Sequence, residues 1–328
     1  MEHRQLGHSG LRVSRLALGT MGWGEETDTE TAAEVLAAFT DAGGTLVDTA
    51  DVYGDGAAET TLGELLDKVV PRDQVVLATK AVARRQDGPF GGGASRGALL
   101  AALDGSLSRL GVDHVDLWQL HAWDEHTPLP ETLAAVDHAV ASGRVRYAGL
   151  SNYSGWQLAT AATTQRHRYP FGGTPVISAQ VEYSLVERGV EREVVPAAEH
   201  HGIGLLAWAP LGRGVLTGKY RHATPADSRG ASEKMANYVE HHRTDRTTRI
   251  VQAVSTAAEG LGVSPLEVAL AWVRDRPGVT APVVGARTRH QLTTSLNAEK
   301  LDLPLAIRGA LDDVSSPTLG YPERHPGR

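Results

Sequence analysis

Short apolar runs alternate with amphipathic segments along the whole chain, and most runs end on a polar or small residue. The runs are rich in Val, Ile and Leu and show too little alternation for a sheet with one face in water. Strands buried on both faces have this composition. The predicted strands are Leu16–Gly19, Gly44–Asp48, Val75–Lys80, Val115–His121, Val145–Ser151, Val176–Gln180, Ile203–Trp208 and Pro282–Gly285.

The segments between the runs predict helices with recognisable ends. Thr27-x-x-Glu30 is a capping-box pattern ahead of an apolar stripe, and Gly43-Gly44 would end that first helix. The later predicted helices are Ser95–Leu110, Pro130–Ser142, Gly155–His167, Glu191–His201, Thr247–Leu261, Ser264–Arg274 and Arg289–Lys300.

Strands that each precede a helix predict a closed parallel (β/α)8 barrel. A doubly wound open sheet is the alternative, but Gly19-Thr-Met-Gly22-Trp-Gly24 lacks the Gly-x-Gly-x-x-Gly spacing and no helix follows it directly. Gly7 and Ser9-Gly10 predict a hairpin that closes the barrel floor. No interdomain linker is recognisable, so we expect one domain over residues 1–328.

Two polar stretches interrupt this pattern. Residues 86–93 include three successive glycines, and residues 220–246 are rich in His and Arg. Both follow the C-terminal ends of predicted strands, where active sites of such barrels form. Stretches of this kind are typical of functional lids or insertions, so we expect long loops at the barrel mouth.

Composition excludes several classes of protein. The chain has no cysteine, which rules out disulfides, Cys-ligated zinc, iron–sulfur clusters and a thiol nucleophile. A net charge of −7 predicts no general attraction to nucleic acid or anionic membranes. The N-terminus lacks a signal-peptide core and no run is long enough to span a membrane, so we expect a cytoplasmic protein.

Polar side chains at successive strand ends predict a proton-donating site. Asp48, Lys80 and His121 end the second, third and fourth predicted strands, and Tyr53 follows Asp48 by five residues. A free phenol has a pKa of about 10. An ammonium beside the phenol lowers that pKa, and a carboxylate keeps the ammonium charged. We therefore interpret Tyr53 as a general acid tuned by Lys80, with Asp48 behind it and His121 at a substrate oxygen.

Taken singly, each of these residues also has a structural interpretation. Asp48 could cap a loop, Tyr53 could pack its ring, and Lys80 could be a solvated rim residue.

The adjacent pairs His200-His201 and His241-His242 lie away from the strand ends, so we expect no metal site.

Seven ordered blocks identify the chain as similar to the aldo-keto reductase superfamily, from Leu6 to about Tyr321. The block Trp208-Ala-Pro-Leu-Gly-Arg-Gly and the loop after it look most like the branch of bacterial general reductases and potassium-channel β subunits. The blocks are Leu46-Val-Asp48-Thr-Ala-Asp-Val-Tyr53-Gly, Leu77-Ala-Thr-Lys80, Val115-Asp-Leu-Trp-Gln-Leu-His121, Gly149-Leu-Ser151-Asn152-Tyr, Ala179-Gln180-Val-Glu-Tyr-Ser-Leu, Trp208-Ala-Pro-Leu-Gly-Arg-Gly-Val-Leu-Thr-Gly-Lys219-Tyr and Val284-Gly285-Ala-Arg287-Thr.

The resemblance implies a barrel that binds NADPH across its mouth and reduces an aldehyde or ketone. The family's catalytic tetrad falls on Asp48, Tyr53, Lys80 and His121. Its cofactor-binding positions, from the nicotinamide to the adenosine 2′-phosphate, fall on Thr20, Met21, Asp48, Ser151, Asn152, Gln180, Trp208, Ala209, Pro210, Leu211, Gly212, Arg213, Lys219, Arg229, Gly285, Arg287, Gln291, Thr294 and Ser295.

At one cofactor position the chain departs from the family pattern. The Glu-Asn pair that contacts adenine in relatives is Thr294-Ser295 here, which puts the adenine contacts in doubt. An arginine beside a helix N-terminus still favours the 2′-phosphate of NADPH. We expect a small-molecule carbonyl substrate, with sugars and other secondary-metabolite carbonyls among the candidates, and pocket walls from Trp23, Tyr53, Phe90, His121 and Trp123.

Two other functions are weighed against carbonyl reduction. One is a cofactor-binding regulatory or scaffold subunit like the channel β subunits. Those relatives lack a histidine at the position of His121, so His121 argues against this function. The other is a barrel aldolase or lyase in which Lys80 forms a Schiff base. Such a lysine has to be neutral, whereas Asp48 would keep Lys80 charged. Reduction by NADPH is the preferred interpretation. The pattern does not predict the oligomeric state.

Overall fold

A closed barrel of parallel strands forms the centre of the computed structural model, which describes residues 1–83, 87–220, 224–225, 229–231, 236–318 and 320–321. The order around the barrel is β10-β3-β4-β5-β6-β7-β8-β9, and every neighbouring pair is parallel. The predicted (β/α)8 barrel is thereby confirmed. Its strands are β3 (Ala17–Gly19), β4 (Leu46–Asp48), β5 (Val76–Ala81), β6 (Val115–Leu120), β7 (Val145–Ser151), β8 (Val176–Glu182), β9 (Gly204–Trp208) and β10 (Val279–Gly285).

Each barrel strand is buried on both faces. Leu46 and Leu117 belong to a cluster inside the barrel, whereas Val47 and Trp118 pack into the larger cluster beneath the helices. Successive side chains of a strand point to opposite faces, so both faces need apolar residues. This explains why the sequence shows continuous apolar runs without alternation.

Helices surround the barrel and connect its strands. The described helices are α1 (Thr29–Asp41), α2 (Ala57–Leu65), α3 (Arg96–Leu110), α4 (Leu129–Ala141), α5 (Gly155–Arg168), α6 (Val194–His201), α7 (Ala236–Glu240), α8 (Asp245–Leu261), α9 (Pro265–Arg274), α10 (Arg289–Asn297) and α11 (Leu305–Ser315). No helix in the described part of the chain is long and apolar enough to cross a membrane.

Several predicted helix ends are wrong. The proposed capping box at Thr27 does not form, because Asp28 is the N-cap of α1 and accepts from the Thr31 amide at 2.8 Å. A capping box does form at the start of α9, between Ser264 and Glu267. The predicted helix over 191–201 begins at Val194 after a 3₁₀ turn, and the predicted helix over 289–300 finishes as a 3₁₀ turn.

Two longer helices were not predicted. Helix α2 carries a fully buried glutamate, Glu59, on the face that should have shown an apolar stripe. Helix α11 lies after the last barrel strand, beyond the repeating pattern, and buries Leu311. Within the predicted polar stretch 220–246, the short helix α7 also escaped prediction.

An antiparallel hairpin closes the N-terminal end of the barrel, as predicted. Its strands β1 (His3–Gln5) and β2 (Arg12–Ser14) pair so that His3 lies opposite Ser14. Leu6 and Val13 are fully buried in the same cluster as the inward-facing barrel residues. The hairpin therefore fills the end of the barrel opposite the strand-end residues.

The hairpin turn depends on Gly7. This residue has a φ of +57°, and a Cβ there would lie 2.5 Å from the Ile177 carbonyl oxygen. Gly111, the C-cap of α3, has a similar φ of +65° with nothing within 4 Å of a Cβ. An alanine at either position would have an unfavourable backbone conformation, but only an alanine at position 7 would also clash with neighbouring atoms. Comparing the two variants therefore measures the free-energy cost of the clash.

We therefore expect Gly7→Ala to lower the free energy of unfolding by about 3 kcal/mol or more. Gly111→Ala should cost only about 1 kcal/mol, because it changes the backbone preference alone. Chemical denaturation of both variants measures the difference. Equal losses would contradict the close packing of the hairpin against the barrel.

Candidate functional site

An open cleft of about 600 Å³ lies at the C-terminal ends of the barrel strands. Its walls come from the ends of β3, β4, β6, β7, β8, β9 and β10 and from the segments that follow them. Most of the sequence-predicted site residues lie on these walls: Met21, Trp23, Asp48, Tyr53, His121, Ser151, Asn152, Gln180, Trp208, Ala209, Pro210, Leu211, Arg213, Lys219, Gly285, Arg287, Gln291, Thr294 and Ser295.

Lys80 lies beneath the cleft and connects two of these residues. Its ammonium donates to Asp48 Oδ2 at 2.7 Å, to the Thr49 carbonyl oxygen at 2.8 Å and to the Tyr53 hydroxyl at 3.3 Å. The lysine is fully buried. All three hydrogens of the ammonium therefore have acceptors, which a charge removed from water requires.

Burial and charge act in opposite directions on these groups. Burial lowers the pKa of the Lys80 ammonium, but the Asp48 carboxylate and Tyr53, through charge and hydrogen bonding, together outweigh burial and raise that pKa above its ordinary value. Burial raises the pKa of the Tyr53 phenol by more than Lys80 lowers it. The expected net lowering for Tyr53 is wrong here, because the buried phenolate loses more hydration than the ammonium replaces. Tyr53 thus keeps its proton at neutral pH.

His121 lies beside Tyr53, with ring centroids 5.9 Å apart in an edge-to-face arrangement. Burial and the nearby Lys80 charge lower the pKa of His121 to about 3. Its Nδ1 is buried with no hydrogen-bond partner among the described residues. Neutral His121 can therefore take part in a hydrogen bond in the cleft without adding charge.

A hydrogen-bonded chain connects the ends of β9, β7 and β6. The Trp208 indole N–H donates to Asn152 Oδ1 at 3.0 Å, and Asn152 Nδ2 donates to the His121 carbonyl oxygen at 2.9 Å. Asn152 adopts a φ of +57°, which turns its side chain back across the strand ends. The Ser151 hydroxyl oxygen is buried and has no partner in the described part of the chain.

The segment after β9 is a 3₁₀ turn over Gly212–Thr217 with Arg213 and Gly214 in left-handed conformations. The Arg213 guanidinium binds both carboxylate oxygens of Glu182, at 3.0 and 2.7 Å, and lies 5.8 Å from the Trp208 ring centre. His242 Nε2 contacts the same carboxylate at 3.1 Å. The turn and the segment before α8 are thus both attached to the end of β8.

The end of β10 leads directly into α10 and forms the far wall. The Arg287 backbone N–H donates to Gln291 Oε1 at 3.0 Å, and the Gln291 backbone N–H donates to Thr288 Oγ1 at 3.2 Å. The hydroxyls of Thr294 and Ser295 donate to backbone carbonyls one turn earlier, at 3.0 and 3.1 Å. These two side chains therefore use their donors within the helix.

Six predicted residues do not lie on the cleft wall in the described structure. Lys80, Thr20 and Gly212 are buried behind it, where the Thr20 amide donates to the Asp48 carbonyl oxygen at 3.0 Å. Phe90 is 62% exposed. Trp123 packs edge-to-face on the neighbouring rings of α5 and the β7 end. Arg229 lies in a 3₁₀ turn, and its side chain lies outside the described residues.

Other wall residues were not predicted. They belong to strand ends, the loop after β3, the turn after β9 and helices α9 and α10: Gly19, Gly22, Thr27, Gly214, Thr217, Leu266, Val283, Val284, Ala286 and His290. The strand-end members share the pattern that identified the others. Leu266 shows no sequence signal, because only the packing of α9 brings it to the cleft.

A buried network fixes the turn that carries Tyr53. Glu59 accepts from Thr79, the residue before Lys80, and from the Arg109 guanidinium at 2.8 Å. Gly56 has a φ of +97°, and a Cβ there would lie 2.7 Å from Arg109 Cδ. The turn is thus held from the helices outside the barrel. Nothing in the sequence spacing indicated this network.

No group of three or more potential metal ligands occurs within the described ranges. Of the adjacent histidines His241 and His242, His242 contacts the Glu182 carboxylate, which also binds Arg213. The described residues of the site carry groups that can donate a proton or a hydrogen bond to a polar ligand.

The C-terminal strand ends of the barrel carry a buried Asp–Lys–Tyr chain with a histidine beside it. A sequence model of the Aldo/keto reductase family matches residues 15–314. The chain belongs to the aldo/keto reductase family, which supports an oxidoreductase that acts on carbonyl compounds.

Relatives in three organisms are similar over most of the chain. The uncharacterized oxidoreductase YrpG of Bacillus subtilis (strain 168) is 38% identical over 96% of each chain. A probable voltage-gated potassium channel subunit beta of Oryza sativa subsp. japonica is 36% identical over 99% of this chain and 98% of its own. L-glyceraldehyde 3-phosphate reductase of Escherichia coli (strain K12) is 34% identical over 91% of this chain and 87% of its own length.

The low pKa of His121 predicts a pH-dependent stability. Between pH 6.5 and about 3 the unfolded chain binds a proton at this residue and the folded chain does not, so stability falls as the pH is lowered. Between pH 6.5 and 5 the wild type should lose about 1–2 kcal/mol more than His121→Gln. Urea denaturation at both pH values measures this. His126→Gln, at an exposed position, is the control, and parallel losses for wild type and His121→Gln would contradict a buried neutral histidine.

Proposed function

We propose that this protein reduces an aldehyde or ketone to an alcohol with NADPH, and that Tyr53 supplies the proton. The observation that carries the proposal is the buried Asp48–Lys80–Tyr53 hydrogen-bonded chain, which ends at a phenol on the cleft wall. Family membership supports the same chemistry.

The residues of the cleft fit a nicotinamide. A carboxamide needs both donors and acceptors, and the buried Ser151 hydroxyl, Asn152 and Gln180 provide them on one wall. Trp208 lines the same wall and offers a flat ring against which a nicotinamide can stack. When bound, the reduced nicotinamide supplies a hydride to the carbonyl carbon.

The tetrad acts on the carbonyl oxygen. Tyr53 donates its proton as negative charge develops there, and Lys80 stabilises the resulting phenolate. Asp48 keeps Lys80 charged through this step. His121 stays neutral because it is buried and a second positive charge beside Lys80 would be unfavourable. In this form it orients the substrate oxygen by a hydrogen bond.

The far end of the cleft suits the phosphates of NADPH. Backbone amides of the Gly212–Thr217 turn and the exposed Lys219 lie at the mid-cleft wall. Arg287 precedes α10, where a guanidinium and a helix N-terminus together favour a phosphate. These features support NADPH over NADH, although Thr294 and Ser295 use their hydroxyl hydrogens within the helix.

A second candidate function is a cofactor-binding subunit with little turnover, since one relative is a probable channel subunit beta. The oxidoreductase and reductase relatives and the complete proton-donating tetrad favour an enzyme. An absence of NADPH oxidation with a broad panel of aldehydes, ketones and sugars, together with tight NADPH binding, would favour the subunit.

Tyr53→Phe tests the proton donor. Removing one hydroxyl should lower kcat by about a hundredfold or more, because general acid catalysis contributes factors of this size. The dissociation constant for NADPH should change by less than about twofold, since the ring remains in place. NADPH oxidation and fluorescence titration provide the two measurements. A comparable loss of NADPH binding would contradict this role.

Arg287→Leu tests the cofactor preference. Loss of a charge-assisted pair should raise KM for NADPH about tenfold or more and leave KM for NADH nearly unchanged. Arg289→Leu is a matched control, because Arg289 is the first residue of α10 and does not lie on the described cleft wall. Equal effects on both cofactors would place the 2′-phosphate elsewhere.

A further inference from the structure

The Asp48 carboxylate receives three hydrogen bonds inside the barrel, and one comes from a residue without an assigned role. Oδ2 accepts from Lys80, as described above. Oδ1 accepts from Gln180 Nε2 at 2.9 Å and from Gln119 Nε2 at 3.3 Å. Asp48 is 2% exposed, so these donors replace its hydration.

Gln119 lies on β6 in register with Lys80 on β5. A carboxylate only accepts hydrogen bonds, so the amide nitrogen of Gln119 has to face Asp48. Its Oε1 is consequently buried, and it has no partner among the described residues. An apolar side chain at this place would avoid an unpaired buried acceptor. The unpaired oxygen of Gln119 lowers the stability of the fold, and the hydrogen bond to Asp48 is the described interaction that explains a glutamine here.

The two glutamines differ in what else they can contact. Gln180 lies on the cleft wall, where its amide is available to a bound molecule. Gln119 is fully buried and does not belong to the described wall. Its hydrogen bond to Asp48 therefore does not depend on the occupant of the cleft.

We propose that Gln119 is a positioning residue that holds the Asp48 carboxylate against Lys80 while Gln180 engages the cofactor. This inference rests on the proposed reductase function. It assigns to β6 a part in orienting the Asp48–Lys80 pair, in addition to carrying His121 after its last residue.

Gln119→Leu tests the proposal by separating activity from stability. Leucine removes the unpaired acceptor together with one of the three donors to Asp48, and these two effects on stability oppose each other, so the melting temperature should change little. The single-turnover rate of carbonyl reduction should fall about tenfold, with the NADPH dissociation constant within about twofold of wild type. A merely structural glutamine would show the opposite result, with lower stability and an unchanged rate.

Gln119→Glu provides a rescue experiment. Burial and the adjacent Asp48 carboxylate both raise the pKa of a carboxyl group at this position, so it should stay protonated at neutral pH, donate to Asp48 and keep a rate near that of wild type. When the pH is raised until the new group ionises, it should repel Asp48, and the rate relative to wild type should fall. Ser178→Ala is the matched control, because Ser178 is a fully buried polar residue on β8 that makes no described bond to Asp48, Lys80 or Tyr53.

A crystal structure of Gln119→Leu gives a readout that does not need turnover. We expect the Asp48 carboxylate to rotate and its distance to Lys80 Nζ to lengthen. An unmoved carboxylate, or a rate within twofold of wild type, would overturn the proposal. A wild type with no turnover on any carbonyl would instead overturn the proposed function, while the crystallographic comparison would still decide whether Gln119 holds Asp48.

Discussion

Lys80 carries its charge inside the barrel and out of contact with water, and the Asp48 carboxylate 2.7 Å away is what makes this stable. An ammonium buried without a partner would lose its proton. Tyr53 depends on this pair in turn, because a charged Lys80 is the group that can stabilise its phenolate. Much of the surrounding structure can be understood as support for one ion pair.

That support comes from both sides of the barrel wall. Inside, apolar residues such as Leu46 and Leu117 fill the barrel below the ion pair and exclude water from it. Outside, Glu59 and Arg109 fix the turn that carries Tyr53. The site can therefore be rigid although its residues lie on separate strands and loops, since each is held by packing that continues into the core.

Side-chain contacts also join the other segments of the barrel mouth to the strand ends. The Glu182–Arg213 ion pair, with His242 on the same carboxylate, joins the turn after β9 to the end of β8. The Trp208–Asn152 hydrogen bond joins the ends of β9 and β7. These contacts give the cleft a polar wall of defined shape.

The order of strands and the placement of Asp48, Lys80 and His121 at or next to their ends were readable from the sequence, because the apolar pattern and length of each strand are local properties of the chain. Helix α2 was not, since the buried Glu59 hides its apolar face until Arg109 is brought beside it. The protonation of Tyr53 and His121 was likewise decided only by tertiary structure. Desolvation depends on every group packed around a side chain, and that environment comes from distant parts of the chain.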